Sequence, residues 1–180
     1  MIKYEELYNI VKSKISKERF EHTLNVVERA IEYAKVYGVD EQRATLAALA
    51  HDIAKNDINK IEYNKYKDQF DEITMKNDSL KHAKLGGIIC EEYGFDSDMI
   101  NSIKYHTTGR ANMSILEKII YLADSTEKNR KFGSTQVELA KRNIDEAIFT
   151  ICAWTIKKLV DESKLIHPDS INCYNYYNTK

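Results

Sequence analysis

Apolar residues recur at helical spacing along almost the whole chain. Leu24, Val27 and Ile31 follow this spacing, as do Leu116 and Ile120. Side chains that return every three or four residues lie on one face of a helix, where they can form a core. Alternation typical of strands does not extend over any useful length. The pattern therefore predicts an all-α fold.

Capping and helix-ending residues divide this pattern into predicted helices. Gly38 follows a periodic segment, as helix-ending glycines do. Ser114 with Glu117, and Thr135 with Glu138, have the spacing of a capping box. The predicted helices lie near 3–15, 17–37, 41–54, 57–75, 79–93, 97–107, 114–130 and 135–164.

The chain is predicted to form a single domain. Its 180 residues can build one hydrophobic core and are few for two, and the sequence contains one proline and six glycines. We assign residues 1–171 to this domain and predict an irregular tail over 172–180 that is too polar for the core. The tyrosines of the tail either pack loosely at the surface or lie against a base or a partner chain.

Composition argues against several classes of partner. With 27 basic and 28 acidic residues, the net charge of −1 provides no global field for nucleic acid or an anionic membrane, so any anion site must be local. No apolar stretch approaches the roughly 20 residues of a bilayer span, and the N-terminus lacks a signal-peptide core. Cys90, Cys152 and Cys173 are odd in number and widely spaced. They are expected to be buried thiols or tail residues of a cytoplasmic protein.

Two polar residues interrupt a helix that otherwise reads as buried. Leu46–Ala50 is continuously apolar, and His51 and Asp52 follow it directly. Burial of a carboxylate without compensation is costly, and a metal ion would supply the compensation. Imidazole and carboxylate are both good ligands for divalent first-row metals.

Asp124 leads to the same inference independently. It lies four residues after Ile120 and eight after Leu116, on the apolar stripe of its helix. A helix cap or a buried salt bridge is the alternative interpretation. His22 alone is ambiguous, because a single helical histidine is more often a hydrogen-bonded core or boundary residue than a ligand.

The order of these residues resembles a known family. His22, then the His51-Asp52 doublet, then Asp124 reproduces the H…HD…D pattern of the HD-domain metal-dependent phosphohydrolases. Segments 51–55, 105–110, 116–124 and 166–168 are similar to the YqeK-type branch, the HD-domain symmetrical diadenosine tetraphosphate hydrolases. The similarity runs from about residue 17 to 170. It implies an HD-domain helical bundle.

The resemblance also implies a centre with two transition-metal ions, divalent or trivalent. The first would be held by His22, His51, Asp52 and Asp124, and the second by Asp52, His82 and His106. Iron is favoured by the family, while manganese, cobalt or nickel suit the same ligands. The alternative for His82 and His106 is a histidine at the surface or at a helix end.

Catalytic roles are assigned to Asp52, as the bridging ligand, and to Lys55. Two metals can activate a water molecule and hold the attacking and leaving oxygens of a displacement at phosphorus. The candidate substrate contacts are Lys55, Thr107, Thr108, Arg110 and Arg130. Without the cluster, Lys55 and Arg110 would be interpreted as solvated surface cations. His167, beside Pro168, is expected to serve in packing or docking and is excluded from the site.

The resemblance, not the spacing, implies the substrate. It is a dinucleoside polyphosphate, diadenosine tetraphosphate, cleaved at an inner phosphorus into two ADP, and the protein is expected to be a homodimer. Another HD-domain enzyme, a 5′-nucleotidase or a guanosine-tetraphosphate hydrolase, would leave His82 and His106 without a role. A non-catalytic nucleotide-sensing module with a structural metal would favour thiolate ligands, and no cysteine lies near the proposed ligands in sequence.

Overall fold

The computed structural model describes residues 1–56 and 61–179, and these ranges contain helices and turns but no β-strand. In chain order the helices are α1 (Tyr4–Lys14), α2 (Lys17–Tyr37), α3 (Glu41–Ala50), α4 (Ile61–Tyr66), α5 (Glu72–Met75), α6 (Asp78–Glu92), α7 (Ser97–Lys104), α8 (Ile115–Thr126), α9 (Ser134–Arg142), α10 (Ile144–Asp161) and α11 (Pro168–Tyr177). A 3₁₀ helix, Lys67–Gln69, lies between α4 and α5. The predictions of an all-α fold and a single domain are confirmed.

The centre of the bundle is formed by α2, α3, α7 and α8. Helix α2 packs against α3 and α8, and α7 packs against both of these as well as α6. The side chains between them, among them Leu46, Leu49 and Ile119, are fully buried. Each such side chain contributes roughly 1.5–3 kcal/mol through removal from water. The proposed metal ligands lie on these helices or directly after them, except His82, which lies on α6.

Helix ends follow the predicted capping chemistry in part. Gly38 ends α2 with a left-handed φ of 65°, and Ser114 with Glu117 forms a complete capping box at the start of α8. The capping box predicted for Thr135 and Glu138 is wrong. Helix α9 begins one residue earlier, after Gly133, and has no side-chain cap.

Two predicted helices end earlier than expected, and both ends lie at the candidate site. The helix predicted over 41–54 ends at Ala50, and turns continue to Asn56. The helix predicted over 114–130 ends at Thr126, because Glu127 adopts an extended conformation with ψ of 159°. This change of direction brings Arg130 back to the end of α8, where its Nε donates to the carbonyl oxygen of Asp124 at 3.0 Å.

Two other predicted helices are interrupted. The described part of 57–75 contains α4, the 3₁₀ helix and α5, while residues 57–60 lie outside the described residues. The helix predicted over 135–164 is divided at Asn143, whose extended backbone ends α9. The side chain of Asn143 then accepts a hydrogen bond from the backbone N–H of Glu146, which starts α10.

The prediction of an irregular tail over 172–180 is wrong for most of that segment. Helix α11 continues to Tyr177, and Cys173 and Tyr177 are buried in the core. The hydroxyl of Tyr177 accepts a hydrogen bond from the backbone N–H of Met113 at 3.1 Å. Buried residues four apart give this polar segment one apolar face. In the described ranges, no helix is both long and apolar enough to cross a lipid bilayer.

The close contact between Gly109 and α11 leads to a stability prediction. Gly109 has φ of +63°, and a Cβ atom there would lie 2.6 Å from Sγ of Cys173. We expect Gly109→Ala to lower the free energy of unfolding by about 2 kcal/mol or more, because strain and steric overlap add. Urea denaturation of the metal-free protein would measure it. The matched control is Gly133→Ala, since nothing lies within 4 Å of a Cβ there. Equal midpoints for the two variants would contradict this prediction.

Candidate metal centre

Five separate segments bring the six proposed metal ligands together. His22 lies on α2 and Asp124 on α8, while the His51-Asp52 doublet follows α3 directly. The other two ligands come from α6 and from the turn after α7. These are His82 and His106.

One group of possible ligand atoms is formed by His22, His51 and Asp124. Each offers one atom, and all three atoms lie within 4.8 Å of one another. Nε2 of His22 lies 3.1 Å from Oδ1 of Asp124, and the His22 and His51 rings are 5.5 Å apart between centroids. Such a set of two imidazoles and one carboxylate matches the donor types that first-row transition metals prefer.

A second group is formed around Asp52. Its partners His51 and His106 again place ligand atoms within 4.8 Å of one another. Oδ1 of Asp52 lies 3.0 Å from Nε2 of His82 and 3.8 Å from Nε2 of His106, and Oδ2 lies 3.5 Å from Nε2 of His51. The Asp52 side chain is only 3% exposed. Its two oxygens therefore face ligand nitrogens of three histidines, and His51 is the residue that this group shares with the group of His22 and Asp124.

Backbone carbonyl groups determine which ring nitrogen of His51 and of His106 is available to bind a metal ion. Nδ1 of His51 lies 2.7 Å from the carbonyl oxygen of Ala48, and Nδ1 of His106 lies 2.7 Å from that of Ile103. A carbonyl oxygen only accepts, so each Nδ1 carries the proton and each Nε2 has a free lone pair. Nε2 of His51 is buried and has no hydrogen-bond partner among the described residues. Such an unsatisfied atom fits a site that binds a metal ion.

The pKa shifts of His106 and Asp124 suit metal binding. Burial, together with the nearby His82 and His51 rings, lowers the pKa of His106 to about 3, so this ring is neutral. Burial tends to raise the pKa of Asp124, but the His22 hydrogen bond and the charge of neighbouring groups hold it well below its usual value. Neutral imidazoles and ionised carboxylates are the forms that ligate metals. The residues therefore fit the proposed ions.

Two site residues were not found from the sequence. Nη1 of Arg19 donates to Oδ2 of Asp52 at 3.1 Å, and Oε1 of Glu127 lies 3.3 Å from Nδ1 of His22. Arg19 lies three residues before His22, and Glu127 lies three after Asp124. Residues three apart share a helix face, so this spacing was the available signal.

Glu127 is placed to orient a metal ligand. Its side chain is 2% exposed, and its other oxygen accepts the backbone N–H of Asn129 at 2.8 Å. We expect Glu127→Ala to weaken metal affinity about 10- to 100-fold, because a carboxylate beside a ligating histidine fixes ring orientation and raises basicity. Metal titration followed by calorimetry would measure the change. Glu28→Ala is the control, since that carboxylate is 70% exposed. Unchanged affinity in Glu127→Ala would contradict this role.

Two of the predicted substrate contacts border the cluster. Nζ of Lys55 lies 3.9 Å from Oδ1 of Asp52 and 3.3 Å from Nδ1 of His82. Nη2 of Arg130 donates to Oδ1 of Asp124 at 2.6 Å. Both cations therefore lie beside the proposed ligands.

The other predicted contacts differ in their surroundings. The hydroxyl oxygens of Thr107 and Thr108 are buried and have no hydrogen-bond partner among the described residues. Arg110 instead forms a two-pronged pair with the buried Glu117, with its Nε and Nη2 donating at 2.6 and 2.8 Å. His167 is the N-cap of α11, and its side chain accepts from the backbone N–H of Asp169. This structural position agrees with its exclusion from the site.

A helical bundle with a buried cluster of histidine and aspartate is the architecture of a metal-dependent hydrolase. The sequence model of the HD domain matches residues 19–129. This range contains all six proposed ligands. The chain belongs to the HD-domain family.

Relatives of known name cover almost the full chain. A protein from Halalkalibacterium halodurans, named symmetrical bis(5′-nucleosyl)-tetraphosphatase, is 41% identical over 174 residues, which cover 92% of each chain. A protein of the same name from Bacillus subtilis is 33% identical, with 96% of each chain covered. A crystal structure from Clostridium acetobutylicum, described as a predicted HD superfamily hydrolase involved in NAD metabolism, matches with a TM-score of 0.91 and 30% identity, covering 99% of this chain and 98% of that one. The resemblance inferred from the motif order is confirmed.

Proposed function

We propose that this chain hydrolyses diadenosine tetraphosphate symmetrically. Water adds to one inner phosphorus, and the bond from that phosphorus to the oxygen between the two inner phosphorus atoms breaks. Two ADP molecules result. The observation that carries the proposal is the buried His/Asp cluster in a chain that is 41% identical to a named tetraphosphatase over nearly its whole length. The cluster supports metal-dependent hydrolysis, and the names of the relatives indicate the substrate.

We assign two transition-metal ions to the cluster, with iron favoured and manganese, cobalt or nickel as alternatives. His22, His51, Asp52 and Asp124 would hold one ion, and Asp52, His82 and His106 the other. When bound, the ions supply Lewis acidity that polarises phosphoryl oxygens and lowers the pKa of water. The hydrogen bond that Asp52 accepts from Arg19 would hold its carboxylate in position for the bridging role.

The surrounding side chains are proposed to bind the phosphates. Lys55 would neutralise charge that develops on the departing ADP, and Arg130 would contact the phosphate nearest Asp124. Thr107 and Thr108 offer hydroxyl donors that have no other described partner. Arg110 could reach a phosphate only through the N–H groups outside its pair with Glu117, which are the two on Nη1 and the second one on Nη2.

Product analysis on the metal-loaded protein tests the function. Diadenosine tetraphosphate should give ADP alone, and in heavy-oxygen water half of the ADP should carry the label. ATP with AMP would mean attack at an outer phosphorus and would overturn symmetric cleavage. Diadenosine triphosphate, guanosine tetraphosphate and AMP should be poorer substrates. Faster release of phosphate from AMP would instead indicate a nucleotidase.

We also propose a cytoplasmic location and a homodimer. The location is supported by Cys90, Cys152 and Cys173, which are all buried free thiols and suit a reducing compartment. The dimer rests on resemblance alone. Sedimentation of the purified chain would distinguish a dimer from a monomer.

A further inference from the structure

A groove leads away from the metal centre toward the only tryptophan of the chain. It has a volume of about 460 Å³, and its lining includes His106, Asp124 and Arg130 together with Trp154 and Lys158. This volume lies in the range of small-molecule sites. A ligand with its phosphates at the cluster could therefore extend along the groove to Trp154.

Trp154 also lines a neighbouring cavity of about 560 Å³, so the indole borders two spaces. Thr107 and Lys158 line both spaces as well. The buried hydroxyls of Thr107 and Thr108, which lack described partners, border the second cavity. Buried polar atoms without partners in a cavity wall indicate a polar ligand.

The indole ring is supported and is flanked by positive charge. Phe132 packs edge-on against it, with ring centroids 4.9 Å apart and planes at 77°. Nζ of Lys131 and Nζ of Lys158 lie 5.4 and 5.5 Å from the indole centroid. Both lysines are exposed and flexible, so a stacked ring could displace either ammonium at small cost.

The charge pattern selects the chemical class of the ligand. An aromatic ring alone could bind a cation, but Lys131 and Lys158 would repel one, and Glu162, 3.9 Å from Nζ of Lys158, offsets only part of their charge. A bare phosphate chain would satisfy the lysines and leave the indole without a role. A planar base attached to phosphates uses both features, since bases stack on aromatic side chains and phosphates pair with lysines.

We propose that Trp154 is the stacking platform for one adenine base of the substrate, and that Lys131 and Lys158 hold the phosphates next to it. The inference rests on the proposed function and adds a nucleoside subsite to it. Cleavage then occurs at the cluster while the base of one ADP half lies on Trp154. The same residue would set the preference for substrates that carry a base.

Fluorescence offers a direct test, because Trp154 is the single tryptophan. The metal-loaded protein would be titrated with ADP and with inorganic pyrophosphate, using excitation at the red edge of the indole band where adenine does not absorb. Saturable quenching by ADP and none by pyrophosphate is expected, since only ADP carries a ring. Equal responses to both would overturn the proposal. The proposal would also be overturned if ADP failed to quench the fluorescence at concentrations that inhibit hydrolysis.

Kinetics of two variants test the same subsite independently. Trp154→Leu should raise the KM for diadenosine tetraphosphate about 10-fold with little change in kcat, and Trp154→Phe should restore most of the loss. Tyr4→Leu, which removes an exposed aromatic ring on α1, is the control and should match the parent. A KM of Trp154→Leu equal to that of the parent would overturn the subsite. If the parent leaves diadenosine tetraphosphate intact, the proposed function fails, whereas the ADP titration still reports on the subsite.

Discussion

Asp52→Ala should lower kcat/KM for diadenosine tetraphosphate by about a thousand-fold or more, because it removes the carboxylate that the proposal assigns to both metal ions. Asp52 lies within 4 Å of ligand nitrogens from His51, His82 and His106. Stabilisation of developing charge by metal ions contributes several kcal/mol, and each 1.4 kcal/mol corresponds to a factor of ten. Metal analysis should find two ions per chain in the parent and a clear loss in the variant.

A matched control substitution shows whether the loss of activity is specific to Asp52 or follows from removing any aspartate. Asp68 is an exposed aspartate in the 3₁₀ helix, so Asp68→Ala should keep the metal content and rate of the parent. Circular dichroism would verify that both variants retain their helices. Parental metal content and rate in Asp52→Ala would contradict the proposed centre.

Arg110→Ala should lower the free energy of unfolding by about 3 kcal/mol. Arg110 is 33% exposed, but its partner Glu117 is only 1% exposed. Removal of Arg110 leaves this buried carboxylate with the backbone N–H of Ser114 but without a compensating positive charge, which is strongly destabilising. Denaturation of the metal-free protein would measure the change apart from ligand binding. In this prediction the main role of Arg110 is to stabilise the fold, and a contact with substrate is secondary.

The control for Arg110 is an ion pair at the surface. Lys157 and Asp161 lie one helical turn apart on α10 and are both more than half exposed. Lys157→Ala should therefore change stability by no more than about 0.5 kcal/mol. Should Arg110→Ala prove equally mild while the KM for substrate rises, the guanidinium acts mainly on phosphate and the structural assignment is wrong.

The fold class was accessible from the sequence because helical periodicity is a local property. The spacing of Leu116, Ile119 and Ile120 predicts α8, and the pair Ser114 and Glu117 predicts its start. Errors arose where two conformations compete within a continuous helical pattern. Asn143 caps a new helix through its own side chain, and periodicity gave no signal of that break.

The tail illustrates a different kind of error. Its polar composition predicted an irregular segment, yet α11 buries Cys173 and Tyr177 against the rest of the bundle. Tyr174 and Tyr176 of the same segment are partly buried against the core. Docking depends on a complementary surface, such as the space beside Gly109 that accommodates Sγ of Cys173.

The chain alone determined the helices and the order of histidine and aspartate along them, since both depend on near neighbours. Only the tertiary structure decided which atoms face one another. It placed Arg19 on Asp52, turned Arg110 toward Glu117 and connected Trp154 to the cluster by a groove. Each of these contacts joins separate elements or loops, and their directions follow from how the helices pack rather than from any local pattern.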